Sequence, residues 1–113
     1  MSAIKRAMEK AERNDQARKA MGTMCMLVQT AAVNAREPEE RSALREAVDK
    51  YNGPWGPDND PWGEHDFGVI EMFGLRWFWK IDDYSQTYPT LAELRAHGLT
   101  HWLVLTLMRA DEY

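Results

Sequence analysis

The sequence predicts an α+β fold, in which a small antiparallel sheet of about three strands is packed by helices in the order α-β-α-β-β-α. Two alternating runs, residues 65–72 and 75–83, meet at Phe73-Gly74 and predict a β-hairpin. The first 21 residues are mostly strong helix formers without proline or glycine. A length of 113 residues suits one hydrophobic core, so we expect a single domain over residues 1–113.

The first helix is expected over residues 3–21, with a modest apolar stripe that includes Ile4 and Met8. Asn14-Asp15 are poor helix formers, and a break there would start a second helical segment. The apolar run at residues 23–30 then predicts a strand buried on both faces. The only cysteine, Cys25, lies in this run and is expected to be a buried thiol.

A second helix is expected to begin at Pro38, because proline suits the first helical turn. Leu44, Val48 and Tyr51 supply its buried stripe at four- and three-residue spacing. A loop rich in proline and glycine follows over residues 53–63, and its two tryptophans should keep it structured.

The second strand of the hairpin places Trp77, Trp79 and Ile81 on one face, which should pack on helices. Thr90 and Glu93 have the spacing of a helix-capping box. Residues 99–109 are apolar almost all round and predict a core helix at the end of the chain.

Charge and hydropathy narrow the functional classes. Residues 1–50 carry ten Lys/Arg and eight Asp/Glu (+2), whereas residues 51–113 carry four and ten (−6). An acidic half disfavours direct nucleic-acid binding and suits a cation or a basic protein face. No apolar run reaches the about 20 residues that cross a bilayer, and the N-terminus has no signal-peptide core. We therefore expect a cytoplasmic protein that does not enter the membrane.

The acidic loop is the main candidate site. A metal-dependent hydrolase or nuclease would use the carboxylates and histidine of this loop: Asp58, Asp60, Glu64, His65 and Asp66. If a strand begins at Glu64, however, alternation turns His65 away from Glu64 and Asp66. We then expect His65 to have a structural role, bonded to Asp82, to Asp83 or to a loop carbonyl.

Two further metal patterns are incomplete. Asp58 and Asp60 begin like a calcium-binding loop, but its twelfth position is Val69 where the geometry needs glutamate. His97 and His101 lie four residues apart, but the intervening Gly98 favours a helix break over a metal pair. Nucleophile, phosphate-loop and dinucleotide signatures are absent from the sequence, so no cofactor is expected.

Tryptophan points to a protein partner. Trp55 and Trp62 lie on a proline-rich rim with an acidic border, where they suit interface anchors. The alternative is that both rings simply cap the core. Lys80 is expected to pair with an acid such as Asp82 or to contact an aromatic ring.

The string G-E-H-D-F-G at residues 63–68, followed by F-W-K-I-D-D-Y at residues 78–84, resembles the bacterial domain-of-unknown-function 3768 family. Asn14-Asp15, Arg18 and the closing segments 104–108 and 111–113 extend the resemblance. Asp83 departs from it, because the family looks to have tyrosine there. Residues 85–97 also depart from the family pattern, since their sequence predicts a helical insertion. The resemblance implies bacterial origin and carriage on plasmids or integrated elements, and it implies no reaction.

These observations predict a non-enzymatic protein-binding accessory protein. Inhibition of host defence, as by an anti-CRISPR or anti-restriction protein, fits its size and acidity; the metal-dependent hydrolase or nuclease is the alternative. The expected partner-binding residues are Trp55, Trp62, Glu64, His65, Asp66, Lys80, Asp82 and Asp83.

Overall fold

The computed structural model describes residues 2–85, 90–96, 98 and 101–113. The helices in this part of the chain are α1 (Ala3–Lys19), α2 (Ala31–Asn34), α3 (Pro38–Asp49) and α4 (Leu91–Ala96), with a closing 3₁₀ turn at Ala110–Glu112. The strands are β1 (Met26–Gln29), β2 (Phe67–Met72), β3 (Leu75–Asp83) and β4 (Leu103–Arg109). None of the described helices is long and apolar enough to cross a membrane.

The strands form one sheet in the order β1-β4-β3-β2, in which β1 is parallel to β4 and the other pairs are antiparallel. The predicted α+β class is confirmed, but the described sheet has four strands and is mixed. The fourth strand is β4, part of the segment predicted as a helix. Leu103, Leu105 and Leu107 alternate onto the buried face, and an apolar run of this length suits a central strand as well as a core helix.

The predicted hairpin is confirmed. Phe73 and Gly74 both have positive φ, 59° and 69°, as a two-residue turn with the twist of the flanking strands requires. Trp77 and Trp79 of β3 are fully buried, and they lie in one core cluster with Leu44 and Val48 of α3. The tryptophan face therefore packs on helices, as the alternation predicted.

Strand β1 is not buried on both faces. It is at the edge of the sheet, and Met26 and Val28 are exposed. Side chains of a strand alternate between the two faces of the sheet, and the face that carries Met26 and Val28 is not covered, which an apolar composition alone does not show. Cys25, just before β1, is buried as predicted; its Sγ donates to the Ala17 carbonyl, and burial raises the pKa of the thiol.

Helix α1 continues through Asn14-Asp15 without the break that their helix propensity suggested. The buried Asn14 side chain donates to the Glu64 carbonyl over 2.9 Å, so a tertiary contact uses its amide. Only part of the expected apolar stripe is buried: Ala11 and Ala17 face the core, whereas Ile4 and Met8 are exposed.

Candidate partner-binding site

The loop between α3 and β2 is held by two of its own side chains. Asn59 donates to the carbonyls of Pro54 and Phe67 and accepts from the Gly56 amide. The buried Asp60 accepts through Oδ1 from the amides of Glu64 and His65, over 2.9 and 3.0 Å. Short polar side chains thus fix the loop backbone, whereas burial of both tryptophans was expected to do so and Trp62 is exposed.

His65 connects this loop to α1. Its φ of 55° is in the left-handed region, and β2 begins only at Phe67, so strand alternation does not apply at residues 64–66. The imidazole Nδ1 lies 3.0 and 3.1 Å from the two carboxylate oxygens of Asp15. The expected partners, Asp82, Asp83 or a loop carbonyl, are therefore wrong. The His65 ring stacks on Trp55 with a centroid distance of 3.9 Å and an interplanar angle of 5°.

Asp15 also binds Arg18, whose Nη2 lies 3.2 Å from its Oδ1. Arg18 is almost fully buried and donates through Nη1 to the carbonyls of Val48 and Asp49, at the end of α3. The carbonyls at a helix C-terminus carry the negative end of the helix dipole, so a cation is favourable there. Sequence reasoning did not select Asp15 or Arg18 as site residues, although their three-residue spacing on one helix was a signal.

The five residues of the hydrolase alternative do not assemble into a metal site. Asp60 Oδ1 already accepts hydrogen bonds from two backbone amides, and Asp60 Oδ2 lies 3.9 Å from His65 Nε2. Glu64 faces Lys10 of α1 at 3.7 Å, and Asp58 is exposed. Among the described residues, no group of three or more His, Cys, Asp or Glu side chains could hold a metal ion. His97 lies outside the described residues.

The two loop tryptophans have different environments. Trp55 is partly buried and packs edge-on against Tyr51 and Trp79, with centroid distances of 4.9 and 6.0 Å. Trp62 is 77% exposed. Trp55 therefore caps the core, as the alternative interpretation expected. Trp62 has the exposure that an interface anchor needs.

Trp62 lies beside the uncovered part of α1. It lines one cavity with Ile4, and Ile4 and Met8 are 75% and 66% exposed. The polar residues of this cavity are Arg6, Lys10 and Glu64, so the border is mixed in charge and not acidic as expected. An exposed apolar cluster with a polar border is typical of an interaction surface.

The remaining predicted residues lie elsewhere. Lys80 shares a strand face with Asp82, opposite to the buried tryptophan face, and its Nζ lies 3.0 Å from Asp82 Oδ2. A hydrogen bond to Asp82 raises the pKa of Lys80. Asp83 binds Arg13 of α1 at 3.1 Å. Burial would raise the pKa of Asp83, but hydrogen bonds from Ser85 and the charge of Arg13 lower it.

Asp66 has a different electrostatic environment, because acids surround it. Burial, followed by the charges of Glu64, Asp60 and Asp82, raises its pKa above the ordinary value of 3.8. Of the eight expected residues, Trp62 and Glu64 line one cavity beside α1, whereas Trp55 and His65 form a stacked pair outside that cavity's lining.

A family model described as "Protein of unknown function (DUF3768)" matches residues 29–112. The chain belongs to the DUF3768 family. The match confirms the family resemblance for the DUF3768 segment from the end of β1 to the closing 3₁₀ turn; α1, with Asn14, Asp15 and Arg18, lies before the matched residues. No curated protein and no solved structure matches this DUF3768 chain.

Proposed function

We propose that the protein is a non-enzymatic binding protein that recognises another protein through a surface centred on Trp62. The observation that carries the proposal is the 77% exposure of this ring beside the exposed Ile4, with which it shares a cavity. Burial of a tryptophan side chain removes a large apolar area from water, and tryptophan is enriched among residues that dominate binding energy. An uncovered tryptophan with apolar neighbours therefore supports a binding role.

The loop that carries Trp62 supports the same proposal. The Asn59 side chain fixes the loop backbone before Trp62. The Asp60 carboxylate fixes the backbone after Trp62, because it accepts from the amides of Glu64 and His65. A side chain on a fixed backbone loses less conformational entropy on binding than one on a mobile loop.

More specifically, we propose that the protein inhibits a bacterial defence system, such as CRISPR or restriction machinery. It would act in the cytoplasm and be carried on a mobile element. The family resemblance, the small size and the net charge of −4 support this inhibitor role. An acidic protein can occupy the basic nucleic-acid channel of a defence enzyme, where charge complementarity speeds association.

The binding proposal is tested by affinity capture from the native host with the wild-type chain, Trp62→Ala and Tyr113→Ala. Tyr113 is a matched control, because it is an aromatic residue of similar exposure, 75%, away from α1. We expect a retained protein whose affinity, measured with the purified partner by calorimetry, falls about tenfold or more in Trp62→Ala and not in Tyr113→Ala. Equal capture by the two variants, or no specific capture, would contradict the proposal.

The proposed inhibition of host defence is tested by phage plating on hosts with an active CRISPR or restriction system. Expression of the wild-type chain should raise plating efficiency, and Trp62→Ala should remove most of that gain while the protein level stays equal. An unchanged plating efficiency with the wild-type chain on both kinds of host would exclude defence inhibition of these systems and leave the binding proposal standing.

A further inference from the structure

We infer that Asn52 is a site of spontaneous covalent modification, at which the Gly53 backbone nitrogen closes a succinimide ring that water opens to isoaspartate and aspartate. The site follows α3 and lies in a segment without regular secondary structure, at the start of the loop that carries Trp62. This modification is independent of the binding function proposed above, because it is chemistry of the chain itself.

The reaction needs only the Asn-Gly pair and water. The Gly53 nitrogen loses its proton and bonds to Cγ of Asn52, and the nitrogen of the side-chain amide leaves as ammonia. Water then adds to one of the two ring carbonyls and breaks its bond to the ring nitrogen. Opening at Cγ gives aspartate. Opening at the backbone carbonyl gives isoaspartate, in which the main chain passes through the former side chain.

Asn52 differs from the other three asparagines of the chain in its side-chain contacts. The amides of Asn14, Asn34 and Asn59 each donate to the backbone carbonyl of another residue. Asn52 is exposed, and its side chain has no hydrogen-bond partner among the residues that the structure describes. The Asn52 amide is therefore free to turn toward the backbone nitrogen that follows it.

Gly53 supplies an unshielded nucleophile, because it has no Cβ beside its nitrogen. Its amide donates to no acceptor in the described part of the chain. The φ of Gly53 is 103°, and a Cβ at this position would lie 3.3 Å from the Trp55 nitrogen. The fold therefore requires glycine directly after Asn52, whereas no contact between described residues requires asparagine before it.

Isoaspartate changes the length of the turn that holds the loop to the core. The Tyr51 hydroxyl donates to the Pro54 carbonyl over 3.0 Å, across Asn52 and Gly53, and the Tyr51 ring packs edge-on against Trp55. Isoaspartate adds one carbon atom to the main chain between Tyr51 and Pro54. Because Tyr51 is buried in the core, we expect Pro54 and Trp55 to move and the hydrogen bond to break.

Peptide mapping by mass spectrometry of the folded chain, kept in mildly alkaline buffer, tests the modification. We expect loss of ammonia at Asn52, followed by both isoaspartate and aspartate, while Asn14, Asn34 and Asn59 persist. Asn52→Gln should block the reaction, because glutamine would have to close a larger ring. An Asn52 that stays intact in the folded chain, with the urea-unfolded chain as positive control, would overturn the inference. Conversion to aspartate alone would also overturn it, because a ring intermediate gives both products.

The effect on the turn is measured by hydrogen exchange of the Gly56 amide, which donates to the Asn59 side chain; Asn59 in turn donates to the Pro54 carbonyl. The purified isoaspartate form is compared with Asn52→Asp, which carries the same new charge on a main chain of normal length. We expect about tenfold faster exchange in the isoaspartate form, because loss of one hydrogen bond raises local opening by about that factor. Equal exchange in the two forms would overturn the expected change in the turn.

Discussion

Contacts of single residues determine how the loop is held against the helices. His65 is in a left-handed backbone conformation that a non-glycine residue adopts only where its surroundings stabilise it. Here the Asp15 carboxylate accepts from Nδ1, and the flat face of the ring packs on Trp55. Arg18 completes the arrangement, because it joins Asp15 to the end of α3 and lies over the Trp79 ring at 5.5 Å.

Gly68 permits the close approach of β2 to Trp79. A Cβ at this position would lie 2.2 Å from Trp79 Nε1 and 2.5 Å from its Cε2, and Trp79 is fully buried. Gly68→Ala should therefore lower the free energy of unfolding by about 3 kcal/mol or more, because the indole cannot move away. Urea denaturation measures the change.

Gly22→Ala is the control for Gly68→Ala. Gly22 has a positive φ of 84° but no atom near its added Cβ, so only the backbone conformation costs free energy, about 1 kcal/mol. If the two variants lose equal stability, packing against Trp79 is not the reason for glycine at position 68.

Among the elements, the closing 3₁₀ turn joins the end of β4 to the start of α2. The Glu112 carboxylate accepts from Thr30 Oγ1 at 2.6 Å, from the Ala32 amide at 3.0 Å and from the Arg109 amide at 2.7 Å. Burial would raise the pKa of Glu112, but these hydrogen bonds outweigh it and lower the pKa. One side chain thus satisfies the open ends of two elements.

Glu112→Ala should lower the free energy of unfolding by about 1 to 2 kcal/mol at neutral pH, because the two amides lose their acceptor. Because the folded pKa is lowered, the stabilisation is present above the ordinary value of 4.5 and declines as the pH falls through the folded pKa. Thermal melts of wild type and variant should therefore converge in acid. Glu71→Ala is the control, since Glu71 is highly exposed; an equal loss there would contradict the role of Glu112.

The element boundaries show which sequence signals are local. The hairpin was predictable because alternation and the turn at Phe73-Gly74 depend on neighbouring residues. The capping box was also predictable: Thr90 and Glu93 each accept from the other's amide. Strand β4 was not, because an apolar run of its length satisfies both helix and strand until its pairing with β1 and β3 is known.

At the scale of the whole molecule, acidic residues from separate segments meet around Asp66. Burial and the charges of Glu64, Asp60 and Asp82 raise its pKa above 3.8. An acid with a raised folded pKa costs stability when ionised; the cost declines as the pH falls through that pKa and is gone below the unfolded pKa. Acidic charge is therefore concentrated at this end of the hairpin at the expense of stability.

Asp66→Asn should raise the free energy of unfolding at pH 7, because it removes a partly buried charge among other acids. The gain should vanish below the ordinary pKa of 3.8, where Asp66 is neutral in both folded and unfolded chains. Urea denaturation across this pH range measures the difference, with the exposed Asp58→Asn as control. A gain that persists unchanged in acid would show that burial of the charge is not its origin.

The sequence alone determined the α+β class, the hairpin, helix α3 and the DUF3768 family, because all of these depend on local patterns or contiguous motifs. Only the tertiary structure decided the site. Asp15 and His65 are fifty residues apart, and the similar Pro-Trp-Gly segments at Trp55 and Trp62 differ in what packs against their rings. Burial depends on contacts between distant segments, so only the folded chain shows which of the two tryptophans is exposed.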